Sequence, residues 1–229
     1  MNLLKQQRAI GTITLLSGLL ALASLITGMV AVNYHTETFS DPTLILTTPG
    51  TNATAGRWSM IFDMFGYYLL LLPVIYLLHD WMKDKTAWSN LVTFTGLAYV
   101  LVGAIGAAIL AAVWPAVMNA YPTAGTEMQL LLKSNFGFFN DMVYNGMWNL
   151  LEMFFAGTWW FVTGLMLYRS KYTVTAVLTI ATGIASFADG TAGMLQLTSL
   201  HETALNTYLL LAIIWTIIMG IFFLQGRLK

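Results

Sequence analysis

Long apolar stretches with almost no internal charge dominate this chain and limit it to one class of fold. Such stretches lie at about residues 9–32, 59–79, 89–114, 139–168, 173–195 and 204–225. A helix of about 20 apolar residues spans the roughly 30 Å hydrocarbon core of a bilayer. The sequence therefore predicts an all-α, polytopic membrane bundle of six transmembrane helices, forming a single domain over residues 1–229.

Composition excludes several classes of function. Of the 229 residues, 58% are hydrophobic and 9% are charged, against a usual charged share of about 25% in soluble domains. The net charge is zero and there is no cysteine. This balance predicts a lipid bilayer as partner and no nucleic acid. It excludes disulfides and thiolate metal sites, and nothing in the sequence predicts a cofactor.

The distribution of basic residues predicts the orientation of the bundle. Eight of the ten Lys and Arg side chains belong to Lys5, Arg8 and the segments 80–85, 169–171 and 226–229. Basic residues flanking spans favour the cytoplasmic side. We therefore predict a multi-pass inner-membrane protein with both termini cytoplasmic. The segments 33–58 and 115–138 are then long outer loops.

Three acidic residues share nearly one depth in these spans. Asp63 and Glu152 each lie 16 residues before the cytoplasmic end of their spans, and Asp189 lies 17 residues after Tyr172. At about 1.5 Å per residue, each is roughly 24–26 Å from the inner boundary. Carboxyls in spans usually face a bundle interior or a wet cavity. We expect an outward-facing acidic pocket, capped by the loop at 33–58.

The fourth span carries a polar stripe. With 100° of rotation per residue, Asp141, Asn145, Trp148, Asn149 and Glu152 fall within about 100° of one another. Lipid would not tolerate such a stripe at depth, so it is expected to face protein, water or ligand. An alternative is that the amides simply form hydrogen bonds between helices.

Neighbouring spans add further candidates. Ser186 accompanies Asp189 on the fifth span, and Tyr67 lies one turn deeper than Asp63 on the second. The alternatives are a Ser186 bond to its own helix, and an interfacial Asp63 that caps its helix or pairs with Arg57. The predicted ligand-binding or proton-handling set is Asp63, Tyr67, Asp141, Asn145, Trp148, Asn149, Glu152, Ser186 and Asp189.

No Lys or Arg lies inside a span, so the acids lack a cationic partner there. Burial then favours protonated carboxyls, a bound cation, or an inward fold of Arg57 or Lys133. Each outcome indicates proton or cation handling. By ligand type, His35 and His201 could join the acids in a metal site, but no HExxH-like spacing supports it, and ordinary surface histidines remain the alternative.

The second half of the chain resembles a family of six-helix bacterial membrane proteins, domain of unknown function 4386. The resemblance is carried by Phe154-Phe155-Ala156-Gly157-Thr158-Trp159-Trp160, Gly164-Leu165-Met166-Leu167-Tyr168-Arg169-Ser170, Val177-Leu178, Ala181-Thr182-Gly183 and the opening Arg8-Ala9-Ile10-Gly11. Where the family usually has a proline, Val174 or Thr175 stands. The resemblance implies the fold and a bacterial membrane location, but no activity and no site residues.

Three functions fit these observations. The first is proton- or cation-linked transport or binding of a small solute in the acidic pocket. The second is a non-catalytic accessory or assembly subunit, whose partners would be other membrane subunits. The third is an intramembrane metal-dependent hydrolase. The chain has no catalytic signature, which argues against an enzyme.

Overall fold

The computed structural model describes residues 3–229, which fold into six long helices with no strand among them. The helices are α1 (Leu3–Ala31), α2 (Ala53–Met82), α3 (Ser89–Thr123), α4 (Thr126–Arg169), α5 (Thr173–Met194) and α6 (Thr198–Leu224). All six are long and apolar enough to cross a membrane. The predicted all-α, six-helix, multi-pass architecture is confirmed.

The helices form a closed ring. Each helix packs against the next along the chain, and α6 returns to pack against α1. Small residues permit the close approach of α1 to its neighbours. The Ser17 hydroxyl on α1 donates to the Gly66 carbonyl on α2, and a β-carbon on Gly11 would lie 2.8 Å from the Gly220 carbonyl oxygen on α6.

The bundle has two chemically different ends. We call the end with the segments 32–52, 124–125 and 195–197 the loop end. We call the end with the segments 83–88, 170–172 and 225–229 the basic end. The assignment of the basic end to the cytoplasm stays a prediction.

Two helices depart from regular α-helical geometry. In α2, a π-helical turn at Met64–Tyr68 and a 3-10 turn at Leu69–Leu71 separate two α-helical halves. Pro73 explains part of this break, because it has no N–H for the carbonyl four residues earlier and its ring clashes there. In α4, a π-helix at Met142–Glu152 joins Thr126–Asp141 to Met153–Arg169.

The predicted outer loops are wrong in extent. The α-helix of α3 continues through Pro115 to Ala120, and α4 begins at Thr126, so the segment 115–138 is mostly helical. Membrane helices tolerate proline because neighbouring groups satisfy the freed backbone. The 33–58 loop ends earlier than predicted, because the Asn52 side chain caps α2 by accepting from the Ala55 N–H at 3.0 Å.

The shortened loop is folded onto the bundle. It contains two 3-10 helices, Thr36–Phe39 and Pro42–Leu46. Its buried Ile45 and Leu46 belong to an apolar cluster with Trp114 of α3 and Phe136 of α4. The loop therefore helps to form a second core at the loop end, separate from the main core.

Candidate functional site

The Glu152 carboxyl lies at the centre of the site and is 1% exposed. The Tyr68 hydroxyl is 3.1 Å from one carboxyl oxygen and 3.2 Å from the other. Both residues come from irregular segments, since Tyr68 ends the π-helical turn of α2 and Glu152 ends that of α4. A β-carbon on Gly103 of α3 would overlap the Tyr68 ring, so glycine there makes room for this contact.

An aromatic layer borders Glu152 on the side of the basic end. The Tyr99 hydroxyl donates to the Tyr67 carbonyl at 2.6 Å, and thereby satisfies the backbone where α2 is irregular. The Trp160 ring centroid lies 5.3 Å from that of Tyr99 and 5.4 Å from that of Tyr208. The side chains of Tyr67, Tyr99, Trp160 and Tyr208 are all buried. This layer separates the carboxyl from the basic end of the bundle.

Asp63 lies near Glu152 at the end of the regular first half of α2. Its side chain is half-buried, and its Oδ2 atom is buried without a hydrogen-bond partner. The Asp63 and Glu152 carboxyls interact electrostatically. Asp63 also interacts electrostatically with the Tyr67 and Tyr68 hydroxyls. Arg57 is exposed and makes no ion pair within residues 3–229. The predicted alternative of an Asp63–Arg57 pair is therefore wrong.

Asp189 forms a second acidic position with a partner that the sequence did not predict. Its side chain is fully buried, and its Oδ1 atom lies 2.6 Å from Nδ1 of His201 on α6. The other ring nitrogen of His201, Nε2, lies 3.3 Å from Nδ2 of Asn149 on α4. Asp189 also interacts electrostatically with Glu152. Asp63, Glu152 and Asp189 lie on three different helices, and electrostatic interactions join Glu152 to each of the other two. We call these three residues the acidic centre.

Two of the predicted polar residues link helices beside this centre. The Ser186 hydroxyl on α5 donates to the Met153 carbonyl on α4 at 2.8 Å. The half-buried Trp148 donates from Nε1 to the Gly103 carbonyl on α3 at 3.2 Å. Ser186 therefore bonds to a neighbouring helix rather than to its own. Both contacts hold α4 in place around Glu152.

The predicted common face of the polar stripe on α4 is wrong. Asn149 and Glu152 are buried, as the stripe predicts, but Asp141 and Asn145 are exposed and bond to each other at 3.3 Å. The stripe assumed 100° per residue, whereas a π-helix with i→i+5 bonds turns less per residue. The angles that define the stripe therefore do not hold across Met142–Glu152.

The predicted histidine ligands lie in separate places. His35 contacts exposed Glu37 at 3.0 Å, and a backbone hydrogen bond, followed by that to His35, lowers the pKa of the Glu37 carboxyl. His201 instead contacts Asp189 of the acidic centre. Among residues 3–229, no group of three or more His, Asp or Glu side chains is arranged to hold a metal ion.

The acidic centre is closed in this conformation. Glu152 and Asp189 are shielded from solvent, so an outward-facing cavity above them stays a prediction. Two surface grooves of about 460 and 550 Å³ lie at the loop end, and their lining excludes all three carboxyls. The loop at 32–52 packs on the second core, and its role as a cap for the acids also stays a prediction.

Sequence comparison places the chain among known families. A family model described as "Domain of unknown function (DUF4386)" matches residues 16–226. No curated protein and no solved structure matches the chain. The matched residues include the whole acidic centre and most of all six helices.

Proposed function

Since the match covers most of its length, the chain belongs to the DUF4386 family, and we propose that it is a small membrane transporter that couples proton movement to the movement of a cationic solute. Family membership brings the six-helix fold but no activity. The proposal therefore depends on the chemistry of the acidic centre.

The observation that carries the proposal is the burial of the Glu152 carboxyl without a basic partner. Within residues 3–229, no Lys or Arg lies in ion-pair contact with it, and its direct partner is the Tyr68 hydroxyl. An ionisable group inside a membrane bundle is costly, and such groups usually mark ion pathways or proton relays. A carboxyl in this position can carry a proton or balance a cation.

A purely structural role explains Glu152 less well. Other polar groups already join the helices here, including Ser186 with the Met153 carbonyl and Trp148 with the Gly103 carbonyl. Burying a carboxyl costs desolvation that an apolar residue of similar volume avoids. Cohesion of the bundle therefore gives no reason for an acid in place of an amide or an apolar residue.

The surroundings suit a cation. The rings of Tyr68, Tyr99 and Trp160 pack together next to Glu152 of the acidic centre. Aromatic faces attract organic cations. The π-helical segments of α2 and α4 meet at Glu152, and such segments are frequent at functional sites. Interrupted helices also form the substrate sites of many transporters. These features support alternating exposure of the centre.

The proposal is tested by proton movement in proteoliposomes that contain the pH-sensitive dye pyranine. Gradients of sodium, potassium and tetramethylammonium ions are applied one at a time. We expect at least one gradient to drive proton movement, and Glu152→Gln to slow it by at least about tenfold, because an amide can neither release a proton nor balance a cation.

The matched control is Glu127→Gln, the same substitution at an exposed position on the same helix, which should leave the rate unchanged. The proposal is wrong if no gradient moves protons in the unmodified protein, or if Glu152→Gln behaves like Glu127→Gln. A stable stoichiometric partner in mild detergent, together with absent proton movement, would favour the accessory-subunit alternative.

A further inference from the structure

His201 and Asp189 join the closed interior to the loop end of the bundle. Asp189 lies near the end of α5, and His201 lies in the second turn of α6, just after the tight connection at 195–197. The Asp189 side chain is fully buried, whereas the His201 side chain is 19% exposed. The pair therefore has one member in the interior and one within reach of the loop-end surface.

The contacts of His201 define where its protons lie. The Asn149 amide nitrogen, at 3.3 Å from Nε2, donates to that atom when the imidazole is neutral. The proton of the neutral ring is then on Nδ1, which faces the Asp189 oxygen at 2.6 Å. Nδ1 is a donor in the charged ring as well. Nδ1 thus carries a proton within 2.6 Å of Asp189 in both charge states. Its N–H direction does not meet hydrogen-bond geometry, so the ring must turn before the proton reaches the carboxyl.

The backbone of α5 is shaped to permit this contact. A β-carbon on Gly193 would lie 3.3 Å from the Asn149 carbonyl oxygen and 3.6 Å from Nδ1 of His201. Gly193 therefore favours the close approach of α4 to α5, whereas the 3.6 Å distance to His201 is ordinary van der Waals contact. The helix remains α-helical through this region, so glycine acts here through packing and causes no unwinding.

The charged and titratable surroundings of the pair are few. From α4, Glu152 faces Asp189 through electrostatic interaction. On α6, Glu202 follows His201 but is exposed, and buried Tyr208 interacts with Glu152. From α2, Asp63 acts on Glu152. Within residues 3–229, no Lys or Arg contacts the pair.

We infer that His201 and Asp189 are the proton-transfer site through which the acidic centre exchanges protons with the loop end. This inference rests on the proposed function. A proton from water binds Nε2 of His201 in place of the Asn149 amide hydrogen bond, and the Nδ1 proton then moves to Oδ1 of Asp189. The imidazole is left neutral with its proton on Nε2. It returns to its first form when it loses that proton to water and, with the ring turned away from Asp189, accepts another from water on Nδ1, so one proton in total passes from water to Asp189.

The transfer changes the charge beside Glu152. Two nearby carboxyls in a low-dielectric site resist simultaneous ionisation. Once Asp189 is neutral, Glu152 can ionise and balance a cation. Proton uptake at the pair thus favours cation binding at the centre. In this scheme the proton is the coupling ion, and it enters from the loop end.

The first test compares proton movement in proteoliposomes for His201→Gln and Asp189→Asn. Both should slow the movement by at least about tenfold, because neither variant can relay a proton. The matched control is His35→Gln, since His35 is an exposed histidine at the same end that also contacts a carboxyl. It should leave the rate unchanged. Thermal unfolding of each variant checks that the fold is retained.

The second test does not depend on transport. Nitrogen-15 NMR of labelled histidine in nanodiscs reports which ring nitrogen carries the proton, and His201→Gln identifies the His201 signal. We expect a proton on Nδ1 in the neutral ring, and a chemical shift of His201 Nδ1 that changes in Asp189→Asn while that of His35 does not.

The outcomes separate this inference from the proposed function. If Glu152→Gln stops proton movement but both pair variants behave like His35→Gln, the inference is wrong and the proposed function stands. If Glu152→Gln has no effect, the proposed function is wrong. A neutral His201 protonated on Nε2, with an Nδ1 chemical shift insensitive to Asp189→Asn, contradicts the inference on its own.

Discussion

At the scale of single residues, the Tyr68 hydroxyl determines the environment of Glu152. It is the only hydrogen-bond donor to that carboxyl within residues 3–229. Loss of a partner leaves a buried polar group unsatisfied, which costs more than the bond itself contributes. The stability of the acidic centre should therefore respond to this one hydroxyl.

Tyr68→Phe removes the hydroxyl and keeps the ring. We expect it to lower the free energy of unfolding by about 1–3 kcal/mol, the cost of an unsatisfied buried group, as measured by chemical unfolding in mixed micelles. Tyr34→Phe, at a residue that is 67% exposed, is the control and should have no measurable effect. Equal stability of the two variants would contradict the role of Tyr68.

The acidic residues could be predicted from the sequence, but their partners could not. Depth alone identifies Glu152 and Asp189, because carboxyls are rare in apolar spans. Tyr68 was missed in favour of Tyr67, since the break in α2 determines which tyrosine reaches α4. Pro73 is the sequence signal that could have indicated this break. The sequence suggested His201 only as a metal ligand. Its position in the sequence does not reveal that it contacts Asp189.

At the scale of helices, α3 shapes the site through its glycines. Aromatic rings from neighbouring helices lie where side chains at Gly96, Gly103 and Gly106 would stand. A β-carbon on Gly96 would lie 2.8 Å from the Trp159 ring, and β-carbons on Gly103 and Gly106 would overlap Tyr68 and Trp148. The spacing identifies a contact face, but it cannot identify what occupies the face.

Gly103→Ala should therefore displace Tyr68 from Glu152. We expect a loss of about 1–3 kcal/mol in the free energy of unfolding, as is typical of overpacking, and slower proton movement in proteoliposomes. Gly146→Ala on α4 is the control, because nothing lies within 4 Å of its added β-carbon. Wild-type behaviour of Gly103→Ala would show that the α3–α2 contact is looser than described.

The π-helix of α4 sets the limit of prediction at this scale. A constant 100° per residue correctly predicts that Asn149 and Glu152 are buried. It is wrong for Asp141 and Asn145, which are exposed, and a π-helix does not keep the 100° rotation that the stripe assumes. The apolar pattern that defines a span does not encode such a change of helix type.

At the scale of the whole molecule, the number of spans follows from the sequence, whereas their arrangement does not. Apolar length predicts six helices. The closure of the ring by α1 and α6 depends on contacts between residues about 200 positions apart, such as Gly11 with Gly220. The prediction of membrane orientation rests on the distribution of the basic residues alone.

The predicted orientation is tested by cysteine labelling, which the absence of native cysteine simplifies. Ser40→Cys at the loop end and Ala87→Cys at the basic end replace exposed residues. In intact cells, a membrane-impermeant maleimide should label the first and spare the second, because basic connections stay in the cytoplasm. The reverse pattern would overturn the orientation.

The central claim is that the carboxyls of different helices form one coupled centre, and a double-mutant cycle between Asp63 and Glu152 tests it most directly. Chemical unfolding in mixed micelles is measured for Asp63→Asn, Glu152→Gln and the double variant. Removing either acid should relieve repulsion on the other, so the double variant should differ from the sum of the single changes by about 0.5–3 kcal/mol. The control cycle pairs Asp63→Asn with Glu127→Gln. Additivity within about 0.5 kcal/mol in both cycles would contradict the claim that the acids act as one centre.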